Sequence, residues 1–286
     1  MSSIKYFFQF LIVSIFFLLF KILGLRISSN ISKNIVSFIG PFFRSKELIK
    51  ENIKRSFPGL NEIAIKKISK NMWGNYGRIL AEYIFIKDFR TNKLKNNIEI
   101  QGNEILEKIK SDNNPVIFVS GHFNNFELMA MIIEMSGVNL AAVYRPLNNK
   151  YLNIIMERIR KKYICKNQIK KGISGTKQLL SFFKNGNSIA LMIDQRVSEG
   201  IKSKFFDKEA YTTTIPAQFV KKFNCKVVPV YIERIKNIHF KLSFNEPIQF
   251  SKDETISSIT LDLNKRLEKM ITKNPDQWIW SHNRWK

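Results

Sequence analysis

Cysteine is scarce in this 286-residue chain, and Cys165 and Cys225 stand 60 positions apart without forming a CxxC pair. That spacing argues against a disulfide scaffold or a zinc site, and leaves reduced, buried thiols as the expectation. Only three histidines are present, His122, His239 and His282, so a metal centre would have to rely on carboxylates and none is expected. Acidic residues are also thin: 23 Asp plus Glu against 47 Lys plus Arg, a net charge of +24. Such an excess suits anionic partners in general, whether nucleic acid, acidic protein or lipid headgroups. Lysine, isoleucine, asparagine and phenylalanine are abundant throughout, however, so part of the charge is compositional bias and charge alone names no partner. The basic residues are scattered, and no zinc finger or RNP-type aromatic motif accompanies them, so nucleic-acid binding is not expected. No internal repeat and no low-complexity linker divides the chain. With 24 Phe, 8 Tyr and 4 Trp, it has ample apolar surface for one sizeable core.

The N-terminus departs from globular sequence. From Tyr6 to Phe20 it reads YFFQFLIVSIFFLLF, and after Lys21 the apolar run resumes to Leu25. That approaches the roughly 20 residues a membrane-spanning helix needs. No small-x-small cleavage site follows, so an uncleaved anchor over residues 1–26 is expected, with the main domain over 27–286. A buried core helix fits less well, because the run leaves no polar face. Lys5 stands alone before the segment, whereas Lys21, Arg26, Lys33, Arg44, Lys46 and Lys50 follow it. The positive-inside bias therefore puts the domain on the cytoplasmic face.

Residues 27–95 read as helices with basic clusters. From about residue 96, apolar strands alternate with helices. Strands are expected at 116–120 (VIFVS), 140–144, 188–193, 226–232 and 240–244. Helices are expected at 126–135, 151–162, 176–184 and 215–223, and an amphipathic helix follows with Ile256, Ile259, Leu263, Leu267, Met270 and Ile271 on one stripe. This alternation predicts a single α/β domain with a largely parallel or mixed sheet flanked by helices. In such sheets, ligands bind beyond the C-terminal ends of strands.

Directly after VIFVS comes Gly121-His122-Phe123-Asn124-Asn125-Phe126-Glu127. A histidine on a strand-to-helix turn can take a proton from a hydroxyl if a carboxylate holds its tautomer and stabilises the cation. Glu127, five positions on, is the local candidate for that partner. Asn124 and Glu127 are equally spaced for a capping box, which would make Glu127 structural. No G-x-S-x-G elbow exists, so a serine nucleophile is not expected. Asp194 ends an apolar strand, where an acid can pair with an arginine or cap a turn. Trp278, Trp280 and Trp285 read as core or membrane-interface aromatics.

Several blocks in order resemble the lysophospholipid acyltransferase-like superfamily, and within it the late acyltransferases of lipid A biosynthesis. They are VSGHFNNFE, VYRPLNN at 143–149, ALMIDQ at 190–195, FF-x3-A-x-TT at 205–213, PAQFVKKFNCKVVPVY at 216–231 and the terminal PDQWIWSHNRWK. The resemblance implies an O-acyltransferase of the inner membrane that needs no cofactor. Its co-substrate would be the thioester of acyl carrier protein, and its acceptor a hydroxyl on a Kdo-bearing lipid A precursor. His122 would be the general base and Glu127 its orienting partner. Substrate contacts would fall to Arg145 in the YRP block, to Arg160 or Arg158 on the helix after it, and to Asp194. The second acid of the family's D-Q-D block is replaced here by Arg196, and Asn283 stands where an arginine is usual. The same catalytic pair would serve an acyltransferase acting on a glycerolipid or another glycolipid.

Overall fold

A computed structural model describes residues 2–91 and 93–286. Five helices open the chain: α1 (Ser2–Leu23), α2 (Leu25–Ile39), α3 (Lys46–Ser56), α4 (Glu62–Glu82) and α5 (Ile86–Arg90). Strand β1 (Ile98–Gln101) and α6 (Asn103–Asp112) follow, then β2 (Ile117–Ser120), α7 (Glu127–Met135), β3 (Leu140–Tyr144) and α8 (Lys150–Ile159). Next come β4 (Asn167–Lys170), α9 (Ile173–Lys184), β5 (Ser188–Met192), β6 (Ile201–Phe205) and β7 (Lys208–Thr212). The chain closes with α10 (Ile215–Phe223), β8 (Val227–Lys236), β9 (His239–Phe244) and α11 (Ile256–Lys273).

Seven strands form one sheet in the order β1-β9-β8-β2-β5-β3-β4. From β8 to β4 all neighbours are parallel, β9 runs antiparallel to β8, and β1 is parallel to β9. The fold is therefore α/β with a mostly parallel sheet flanked by helices, as expected. The central strand β2 is buried at every position, which is why it reads as a continuous apolar run. Two edge strands escape the sequence pattern. β1 reads IEIQ and is largely exposed, and β4 reads NQIK with one buried residue. The antiparallel hairpin β6–β7 turns at Phe206 and Asp207, both at positive φ (50° and 58°). Two-residue hairpin turns of that hand are usually signalled by Asn-Gly or Asp-Gly, so this pair conceals the turn.

The N-terminal helices are arranged unexpectedly. Helix α2 packs on α4 through small polar residues, with Ser28, Ser29 and Ser32 buried. The backbones approach so closely that a Cβ on Gly77 would lie 2.2 Å from the Ser32 carbonyl oxygen. Its apolar side faces outward instead: Ile27, Ile31, Ile35 and Phe38 are exposed, followed by Phe42 and Phe43. Helix α1 is long and apolar enough to cross a membrane. It is also tied to the domain at both ends. Near its start, the Asn149 side-chain amide donates to the Tyr6 carbonyl (2.9 Å), and Phe7 and Phe10 lie against the Tyr151 ring. Near its end, Phe20 is buried and Lys21 reaches Asp88 at 3.5 Å.

Candidate active site

The site is built where β2 and β5 end side by side. Their register pairs Ser120 with Met192, and the Ile193 amide donates to the Ser120 carbonyl at 2.9 Å. Two residues beyond β5, Asp194 therefore lands beside the turn that follows β2. Gly121 makes room for it: a Cβ there would meet the Phe123 ring at 2.8 Å and Asp194 at 3.3 Å. Phe123 is fully buried against Tyr231, which fixes the turn and leaves His122 on its open side.

Asp194 is fully buried and fully engaged. His122 Nδ1 lies 2.7 Å from its Oδ1, and its Oδ2 accepts from the His122 backbone amide (2.8 Å) and the Trp278 indole N–H (2.8 Å). Burial alone would raise the Asp194 carboxyl, but His122 and Trp278 overcome it and hold it at about 2. An ionised carboxylate only accepts hydrogen bonds, so Nδ1 carries the proton and Nε2 is left as the basic nitrogen. The His122 side chain keeps 21% of its surface open. Burial disfavours its cation, yet the charge and hydrogen bond of Asp194, aided by Glu127, raise its pKa above the ordinary imidazole value.

The expected His122–Glu127 hydrogen bond is not made. Glu127 is the first residue of α7, and its Oε1 accepts from Arg160 Nε (2.8 Å) and Nη2 (2.6 Å), with both side chains nearly buried. Glu127 thus reaches His122 only through its field. The reason is geometric: the parallel neighbour of β2 delivers Asp194 directly to the imidazole, while α7 starts at Glu127 and points that carboxylate at the α8 end of the molecule. The capping-box alternative is not realised either, because Asn124, at φ 45°, donates instead to the Ile232 carbonyl and Gln277 Oε1.

Of the two arginines after the YRP block, Arg160 is the one turned inward. It occupies a π-helical turn (Arg160–Ile164) after α8, with its guanidinium 5.6 Å from the Tyr144 ring centroid. Among the described residues its Nη1 is buried without a hydrogen-bond partner, as is the neighbouring Tyr83 hydroxyl. Arg158 and Arg145 are exposed and make no side-chain hydrogen bond or ion pair among the described residues. Arg196 has a structural setting: its Nε donates to the Lys286 carbonyl and its guanidinium lies over Tyr211. Its backbone amide donates to His282 Nε2 at 3.0 Å. Burial pushes His282 down to about 4, which keeps that nitrogen an acceptor at neutral pH.

The terminal block holds the site from behind. Trp278 and Trp280 are buried edge to face, 4.7 Å apart. Arg284 is fully buried, donating to the Tyr211 carbonyl and Thr212 Oγ1. Burial lowers Arg284 to about 10, while Asp194 favours its charge. The Trp278 contact with Asp194 was not foreseen from spacing, because 84 residues separate the two. In front of His122, Met72, Ile79, Phe126 and Ile279 line a narrow apolar slot.

The whole chain, residues 1–286, matches the family described as bacterial lipid A biosynthesis acyltransferase. Among curated proteins, it is 23% identical over 247 residues to a lipid A biosynthesis myristoyltransferase of Escherichia coli, covering 85% of this chain and 75% of that protein. It is 21% identical over 252 residues to a lipid A biosynthesis palmitoleoyltransferase of the same organism, with coverages of 86% and 80%. A lipid A biosynthesis acyltransferase of Haemophilus influenzae is 22% identical over 248 residues, with coverages of 85% and 78%. A full-length family match on an α/β sheet with a histidine at its central strand end leads to one conclusion: the chain belongs to the bacterial lipid A biosynthesis acyltransferases and is an acyltransferase.

Proposed function

We propose that this enzyme transfers a fatty acyl group from acyl carrier protein to a hydroxyl of a Kdo-bearing lipid A precursor, with His122 as general base. The observation that carries this reading is the basic Nε2 of His122, left open while Asp194 holds Nδ1 from behind. In the reaction, His122 Nε2 takes the proton of the acceptor hydroxyl as its oxygen attacks the thioester carbonyl. The C–S bond then breaks, and the departing sulfur collects the proton from the imidazolium. Asp194 orients the ring and stabilises its cation. Glu127, held in a buried pair with Arg160, adds negative potential at His122. No acyl-enzyme intermediate is needed, because the acceptor's own hydroxyl is the nucleophile.

The net charge of +24 favours an acidic carrier as donor, because complementary fields speed encounter. With acyl carrier protein and acyl-CoA assayed in parallel, the carrier donor should be the better one. Its advantage should shrink as salt rises, since screening shortens the field to about 8 Å near physiological ionic strength. Equal efficiency with both donors and no salt effect would remove the carrier from this reading.

The exposed faces of α1 and α2 serve in this reading as one docking surface on the inner membrane, with the domain on its cytoplasmic side. The two tethers of α1, at Tyr6 and Lys21, lie roughly 20 Å apart along a helix rising ~1.5 Å per residue. A perpendicular crossing of a core ~30 Å thick would drag Asn149, Tyr151 and Asp88 into it. A helix lying along the interface avoids that cost and shares it with the outward apolar side of α2. The buried Cys165 and Cys225 give little background for thiol labelling. A Ser3→Cys variant should therefore react with an impermeant reagent from the cytoplasmic side only; labelling from the opposite side would establish a span. Replacing Phe38, Phe42 and Phe43 with Ser should weaken membrane retention, and unchanged retention would exclude α2 from the surface.

A further inference from the structure

We propose that a basic cavity adjoining the His122 slot binds a phosphate group carried by one of the two substrates, an inference that rests on the transferase reading above. The cavity, of ≈260 Å³, lies between α2, α4, the end of β8 and the turn at Pro275–Gln277. That is far above the ~10–15 Å³ that a single water needs. Asn75, Asn124 and Gln277 line both the cavity and the slot, so the two spaces share a wall.

The charges around it are unbalanced. Lys33, Arg78, Arg234 and Lys236 line the cavity against one carboxylate, Asp276. Arg234 is neutralised from behind by the fully buried Glu82, to which it donates through both terminal nitrogens. Arg78 is different. It is buried and donates to neutral groups, Ser29 Oγ and Asn30 Oδ1, both at 2.8 Å. Among the described residues, no carboxylate comes within 4.0 Å of Arg78, Lys33 or Lys236. Burial and the like charge of Arg234 disfavour the Arg78 cation, and Glu82, whose charge favours it, is already paired with Arg234. A buried cation that shares its counter-charge with a second cation is costly, and a bound anion lowers that cost. Asn75 adds a donor: its Oδ1 is occupied by Arg234 Nε, leaving its amide N–H₂ for a ligand. Guanidinium, ammonium and amide groups lining a polar, cationic recess suit a phosphate in charge and hydrogen-bonding capacity.

The phosphate could come from the acceptor's headgroup or from the donor's phosphopantetheine arm, and the test separates them. The full-length Lys33→Gln, Lys236→Gln variant removes two lining charges outside the buried network, whereas Lys66→Gln, Lys67→Gln removes two exposed charges elsewhere. With no substrate present, pyrophosphate should raise the melting temperature of wild type and of the Lys66, Lys67 control, and the cavity variant should lose this response. In turnover, the cavity variant should raise KM about tenfold, equivalent to ~1.4 kcal/mol, for the substrate bearing the phosphate. If the acceptor supplies it, the effect disappears with a dephosphorylated acceptor. If the donor supplies it, the effect appears with acyl-phosphopantetheine and disappears with acyl-pantetheine. Unchanged KM in both arms, a pyrophosphate response kept by the cavity variant, or an equal rise in KM in the Lys66, Lys67 control would overturn the site. Absence of acyl transfer by wild type would instead overturn the transferase reading, while the pyrophosphate measurement still decides the cavity.

Discussion

His122→Ala is expected to slow acyl transfer by roughly 10²–10⁴-fold while the protein still folds, the range that loss of a positioned general base produces. The fold should survive because the ring is a surface-opening group at the end of β2, whereas the turn is held by Phe123, Asn124 and Asn125, all fully buried. The substitution does leave Asp194 without its ring partner, but its Oδ2 keeps the Trp278 indole and the backbone amide of residue 122. Circular dichroism and thermal melting of the variant beside single-turnover kinetics separate lost chemistry from lost structure. A folded variant that transfers at near wild-type rate would mean that another group accepts the proton.

Asp194→Asn should be nearly as damaging, and it carries a signature that a structural residue would not. An amide can present its N–H₂ to Nδ1, favouring the wrong tautomer, and it cannot stabilise the imidazolium; in comparable triads this combination costs up to about 10⁴ in rate. The pH profile gives the sign. The working form of His122 is neutral, so the rate of wild type rises with pH through a His122 pKa that Asp194 holds above the ordinary value. Without the carboxylate, burial dominates and the pKa falls, so the acid limb should move to lower pH even as the plateau drops. Glu127→Gln should move that limb less, because Glu127 ranks behind Asp194 among the groups raising His122. Its main effect should be on stability: it leaves Arg160 buried without its partner, a change that typically costs about 3–5 kcal/mol. A limb shift in the Glu127 variant and none in the Asp194 variant would restore Glu127 as the orienting carboxylate.

The contact of His122 with Asp194 in place of Glu127 shows what a single sequence reveals and what it hides. The central strand, β3 and α10 are legible because their apolar runs and flanking breaks are strong, and His122 is legible because it follows such a run at a place where α/β sheets bind ligands. The carboxylate that touches His122 is not, because spacing favours residues close in sequence. Glu127 is five positions from His122, while Asp194 is 72 away and is brought in by strand register. The signal was present, an acid closing the apolar strand ALMI, but pairing it with His122 requires knowing that β5 lies beside β2. The edge strands β1 and β4 are only four residues long and bury one residue between them, and the Phe206-Asp207 hairpin lacks the turn residues that mark its type. Helix α2 inverts the usual rule, burying serines and exposing isoleucine and phenylalanine, so its periodicity reads as an ordinary amphipathic helix until its packing on α4 is seen.

Base-catalysed acyl transfer to a lipid A precursor can be read directly from its product. Purified wild-type enzyme and His122→Ala, both shown to be folded, are incubated with acyl carrier protein bearing a fatty acyl thioester and a Kdo-bearing lipid A precursor, and the lipid is analysed by mass spectrometry. Base catalysis by His122 predicts that the precursor gains the mass of one acyl ester with wild type and remains unmodified on the same timescale with the variant. An unmodified precursor with wild-type enzyme, or equal acylation by the two proteins, would contradict it.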